Sequence, residues 1–178
     1  MNRFFSVVIL AAGMVFAAGP EQARAAMVSI VSQQRSIDGK LAHIWPDEPF
    51  FVLGTTHGVY LQGYGAVFTA EVNLATAPVS PLMPVPTQEM INNHHQKKMA
   101  RVPELERVMR ELLVQTAASM STLSDTDNVV IAVSLTSYSW EPTGLPSQII
   151  MQAPKGALMN AKGADGTQLA SLIKSEVF

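Results

Sequence analysis

Val102, Leu105, Met109, Leu112, Thr116, Met120 and Leu123 recur at intervals of three and four residues, and Val108 and Leu113 widen the row. Only an α-helix gathers such a row onto one side. A helix with that much apolar surface needs something to lie on, since burying each large side chain is worth about 1.5–3 kcal/mol. The helix is predicted to begin after Thr87, a natural N-cap, with Glu89 in its first turn. It runs toward Leu123 with an interruption at Val102-Pro103, where a new first turn would carry Glu104 and Glu106. Arg107–Glu111 and Glu106–Arg110 stand four apart on its outer side.

The surface it lies on should be a sheet. Residues 50–53 form a continuous apolar run, as in a strand covered on both faces, and glycines at 54, 58, 63 and 65 punctuate the extended chain beyond it. From Ala66 the pattern alternates, with Ala66, Phe68, Ala70, Val72 and Leu74 on a core face and Val67, Thr69, Glu71 and Asn73 on a mostly polar one. That second face should be solvated or line a groove. Residues 129–133 read as a buried central strand that turns half-polar toward Tyr138 and Trp140. Pro142, Gly144 and Pro146 make a loop, and residues 147–152 return as the second arm of a long-looped hairpin. Residues 154–166 are glycine-rich, with Lys155-Gly156-Ala157 and Lys162-Gly163-Ala164 too short an echo to make a repeat. A final helix capped by Asp165 or Thr167 would present Leu169, Leu172, Ile173 and Val177.

The remaining segments are connectors. Before residue 50 a helix or strand at 27–31, a turn at Asp38-Gly39 and a strand at 41–45 are the available readings, closed by Pro46 and Pro49. Four prolines in 77–86 make that segment a stiff polyproline-like connector lying against the body. The order of strands, long helix, strands and short helix predicts an α+β fold. It would be a mostly antiparallel sheet with one long, Pro-kinked helix and a short C-terminal helix packed on one face.

The first residues concern destination rather than fold. Arg3, an apolar run over 4–18 and the sequence Ala23-Arg24-Ala25 followed by Ala26 have the form of a secretory signal, making 1–25 a leader and 26–178 a single domain. The apolar run is shorter than the ~20 residues a spanning helix needs. The expected location is therefore periplasmic or extracellular, with no stable membrane insertion. The chain has no cysteine, so its folding rests on packing without disulfides. A net charge of −2 offers no footprint for nucleic acid.

No complete catalytic constellation is present. His94-His95 diverge on a helix and His43 and His57 lie apart, so the histidines read as exposed helix and turn residues, with no metal site and no cofactor. Ser171-Leu172-Ile173-Lys174 matches S-x-x-K without its companion motifs. What remains is a set of candidate binding residues: Tyr60, Tyr64, Glu71, Asn73, Tyr138 and Trp140. Together these features favour a non-enzymatic interaction or structural module of the envelope or medium, with a protein or cell-envelope partner. The alternative is a small exported hydrolase using His57 and Glu71 with Ser134, Thr136 or Tyr138. The stripe over 103–123 could also serve a partner helix and make a homo-oligomer.

Overall fold

The computed structural model describes residues 20–46, 51–79, 85–161, 163 and 166–178. Most of the predicted leader, the acidic turn at 47–48, the centre of the proline-rich connector and the predicted cap Asp165 lie outside the described residues.

The chain enters through α1, Pro20–Ala42. Ala26, Ile30, Ile37 and Leu41 are buried along one side of it. The predicted turn at Asp38-Gly39 and strand at 41–45 are therefore corrected: the first lies inside the helix and the second at its end. Glycine costs a helix interior about 1 kcal/mol, which the burial of Ile37 and Leu41 on either side offsets. The Asp38 carboxylate, read as a turn signal, instead accepts hydrogen bonds from the backbone N–H and the hydroxyl of Thr56, at 2.9 and 2.5 Å.

The sheet and its helices are arranged along the chain as β1 (Phe51–Val52), β2 (His57–Leu61), β3 (Gly65–Asn73), α2 (Gln88–Ser119), β4 (Asn128–Leu135), β5 (Gln148–Pro154), α3 (Lys155–Asn160), α4 (Gly166–Leu172) and β6 (Lys174–Val177). The strands line up as β1-β3-β4-β5-β6, and β2 pairs with the same β3. Both β1 and β2 lie on one edge of β3. Between Val52↔Val72 and His57↔Thr69 the edge strand carries two more residues than its partner, so it bulges there, with Gly54 at φ 82°. Residues 50–53 were expected to be covered on both faces; Phe51 and Val52 form an edge instead, Leu53 is exposed, and residue 50 lies outside the described residues.

Every pairing is antiparallel except β3 with β4, which is parallel. The sheet was expected to be mostly antiparallel, and this pair is its one parallel member among the described strands. A parallel neighbour needs a crossover, and α2 with its connectors is long enough to supply one. The α+β class with a mostly antiparallel sheet is the observed architecture.

The helix row seen in sequence is the centre of the core. Val102, Leu105, Val108, Met109, Leu112, Leu113, Thr116, Met120 and Leu123 are all buried. They meet Ala66, Phe68 and Val72 of β3, Val129, Ile131 and Val133 of β4, and Ile149 and Met151 of β5. Thr87 caps the helix by accepting from Met90 N. The helix passes through Pro103 as one element and ends at Ser119, short of Leu123. Because its row is spent on its own sheet, no stripe is left for the partner helix that 103–123 suggested.

The C-terminal part differs from expectation twice. The glycine-rich stretch 154–166, to which no element was assigned, contains α3, whose Leu158 is buried in the core. The final helix stops at Leu172, and the next residues turn into β6, so Val177 belongs to a strand. Ser171 and Lys174 are thereby split between a helix and a strand, and Ser171 spends its hydroxyl on Gln168 O.

Candidate functional site

The helices pack on the face of the sheet defined by Phe68, Ile131 and Met151. On that side Gly58 approaches α1 so closely that a Cβ would sit 2.6 Å from Ile30 Cγ2. Of the described helices, α4 reaches toward the other face with its last residue, Leu172, at one corner. Strand register decides what that face displays. Val59, Val67, Val130 and Gln152 form one row across the strands; His57, Thr69, Ala132 and Ile150 form the next; Glu71, Ser134 and Gln148 form a third. Val59 and Leu61 are each 48% exposed, and Val67 and Ile150 are half-buried. The exposed apolar side chains of this face thus lie along β2, beside the polar ones of the neighbouring rows, while Val130 and Ala132 at its middle are buried.

Shallow depressions indent it. One, of about 240 Å³, is lined by Leu53, Thr55, His57, Thr69, Glu71 and Ser134 among others. This brings together His57 and Glu71, the pair named for the hydrolytic alternative, with Ser134 beside them. Their engagements are elsewhere, however. Thr136 donates its hydroxyl to Glu71 Oε1 at 3.1 Å, and Ser134 Oγ accepts from Gln148 Nε2 at 3.3 Å. Among the described residues no hydrogen bond joins the His57 ring to Glu71 or Ser134, and the Thr69 hydroxyl donates to the His57 carbonyl at 3.5 Å. Another depression, of about 390 Å³, lies beside Tyr64, Gln152 and Lys174. Tyr64 donates its hydroxyl to Gln152 Oε1 at 2.8 Å.

The remaining candidates go to another place. Tyr60 is half-buried and packs against the core. Asn73 was assigned to the solvated face, but it is buried at the end of β3 and donates to Tyr138 Oη at 2.9 Å. Tyr138 and Trp140 stack at 5.0 Å with their planes 6° apart. They lie against His94, which is buried rather than exposed as its place on a helix suggested.

Beneath this stack is a charged cluster that sequence reasoning missed. Lys98, fully buried, donates to Glu141 Oε1 at 2.6 Å and to Thr136 O at 2.9 Å. Tyr138 N also donates to Glu141 Oε1, and His94 Nε2 lies 3.3 Å from that oxygen. Burial, and then Lys98, hold the His94 pKa below its ordinary value, although Glu141 pulls the other way. Glu141 Oε2 and Asn73 Oδ1 are buried without a hydrogen bond. His94, Lys98 and Arg101 fall at spacings of four and three on the buried side of α2, where a cation between apolar neighbours was the available signal. Its partner, Glu141, comes from a loop more than forty residues on, and no local pattern joins the two.

No family model, curated protein or solved structure matches the chain. Among the described residues no group of three or more His, Asp or Glu side chains is placed to hold a metal ion, and no helix is long and apolar enough to cross a membrane.

Proposed function

We propose that the chain is an exported, non-enzymatic module that binds a protein or envelope partner through the uncovered face of its sheet. One observation carries this reading: the described helices contribute to the core on one side of the sheet, and the other side exposes Val59 and Leu61 of β2 beside the polar side chains of His57, Thr69, Glu71, Ser134 and Gln148. Exposed apolar side chains set beside polar ones are how protein-binding surfaces are built. The depressions on it are shallow, which suits a broad contact better than enclosure of a small substrate. Export rests on the form of residues 1–25. Cleavage after Ala25 would leave the buried positions of α1, from Ala26 to Leu41, in place.

The test is a photo-crosslinking amino acid at Leu61, compared with one at Arg107 on the outer side of α2, in the cells that make the protein. A partner of defined mass captured from Leu61 and not from Arg107 supports the reading; equal capture from both ends it. An N-terminus at Ala26 on protein recovered outside the cytoplasm checks export.

A hydrolytic function has one supporting observation, the depression shared by His57, Glu71 and Ser134. It requires ester or amide turnover by the pure protein that His57→Ala abolishes.

A further inference from the structure

A sheet ends in two edges, and each must be managed, because its unpaired N–H and C=O groups are a template for another strand. Here the edge made of β1 and β2 is broken by the bulge after Val52. The other edge is β6. Its sequence, Lys174-Ser175-Glu176-Val177, has no proline or glycine, and its pairing with β5 runs without a break from Lys174↔Gln152 to Val177↔Ile149. Beside it Leu172, Val177 and Phe178 are exposed, a concentration of large apolar side chains at one border of the molecule.

The phase of the ladder fixes which backbone groups are free. Phe178 N donates to Gln148 O at 3.0 Å, and Gln148 N returns a longer bond to Phe178 O. In an antiparallel pair such residues alternate, so Lys174 and Glu176 also turn their backbone groups toward β5. Ser175 and Val177 turn theirs outward, where no described strand meets them.

We propose that β6 pairs antiparallel with β6 of a second copy, about a two-fold axis through Ser175, joining two sheets into one. Charge selects both the occupant and the register. Lys174 and Glu176 lie on the same face of the strand, and within one chain Nζ is 2.5 Å from Oε1. Centring the pair on Ser175 sets Lys174 opposite Glu176 of the second copy, and Glu176 opposite its Lys174, so the strand is complementary to itself. The neighbouring register that the outward groups permit is centred on Glu176. It would place two carboxylates opposite one another, which is unfavourable. The two-fold arrangement closes on itself and leaves no further β6 edge. It uses backbone at the sheet border, and the Lys174 and Glu176 side chains extend the rows of Gln152 and Ile150 on the uncovered face; it needs no other partner, so the pure protein suffices to test it.

Sedimentation of the purified protein tests this directly. A reversible dimer is expected at about 0.1 mM chain. Glu176→Lys sets like charges opposite each other twice and should weaken the dimer about tenfold or more. The exchanged pair Lys174→Glu with Glu176→Lys restores the complementarity and should restore the dimer. Ser175→Pro removes an outward donor while leaving the bonds to β5, and should also give a monomer. Amide exchange supplies an independent readout: the Ser175 and Val177 amides gain protection as concentration rises, and Glu176 is protected throughout. A monomer at every concentration overturns the proposal. So does a dimer indifferent to Glu176→Lys, or a Ser175 amide whose exchange does not depend on concentration.

Discussion

Replacing Glu141 with alanine isolates the energetics of the buried cluster. The Lys98 ammonium, fully buried, has two acceptors, Glu141 Oε1 and Thr136 O. Without Glu141 the charge is left with one neutral carbonyl. Breaking a buried pair in this way costs about 3–5 kcal/mol, because the surviving charge is neither hydrated nor compensated. Tyr138 N loses its acceptor as well, which adds about 1 kcal/mol. Against a total stability of about 5–15 kcal/mol this is a large share, and it lowers the midpoint of thermal unfolding by roughly 10 °C or more. The assay is urea unfolding followed by circular dichroism at neutral pH. Replacing both partners, Lys98→Met with Glu141→Leu, removes the charges together and should leave stability within about 1 kcal/mol of the parent or raise it. If Glu141→Ala costs less than about 1 kcal/mol, the cluster is hydrated and the argument from burial is wrong.

His94 makes stability depend on pH. Its folded pKa is depressed, so in acid the unfolded chain binds the proton more readily than the folded one. The stabilisation is complete above the unfolded value, about 6.5, and is lost as pH falls from there toward the folded pKa. His94→Gln should flatten the stability profile across that window, read from urea midpoints at a series of pH values. Gly65 sits at φ 135° with the position of a Cβ 2.0 Å from Asn128 O, so Gly65→Ala should cost more than about 2 kcal/mol by the same assay. Gly58→Ala, crowding Ile30 and Phe68, should cost about 1–3 kcal/mol. Pro103 is exposed within a continuous helix, so Pro103→Ala should raise the thermal midpoint by restoring a backbone donor.

The parts of the fold that could be read from the chain were those whose signal is periodic. The row from Val102 to Leu123 and the alternation from Ala66 to Leu74 each repeat often enough to name the buried side, and both faces are buried as expected. Thr87 was legible because capping is a contact between near neighbours. The first helix was not, because Asp38-Gly39 has the chemistry of a turn and only the contact with Thr56 removes that meaning. Val177 continued a helical spacing after Leu172 and could not announce a strand, since pairing with Ile149 is a long-range fact.

The candidate surfaces divide in the same way. Thr69 and Glu71 fell on the polar side of an alternating pattern, and the sheet keeps them there, with His57 of β2 beside Thr69. Asn73 shared the same alternation but lies where β3 meets the loop after β4, and Tyr138 closes over it.

By itself the sequence determined that this chain makes an α+β sheet beneath one long helix, because apolar periodicity fixes which side of each element must leave water. Only the tertiary structure decided the partners. It set β3 parallel to β4 through the crossover, placed Glu141 on Lys98, and put Lys174 and Glu176 on a bare edge. Those outcomes depend on which distant segments meet, and no local pattern carries that information.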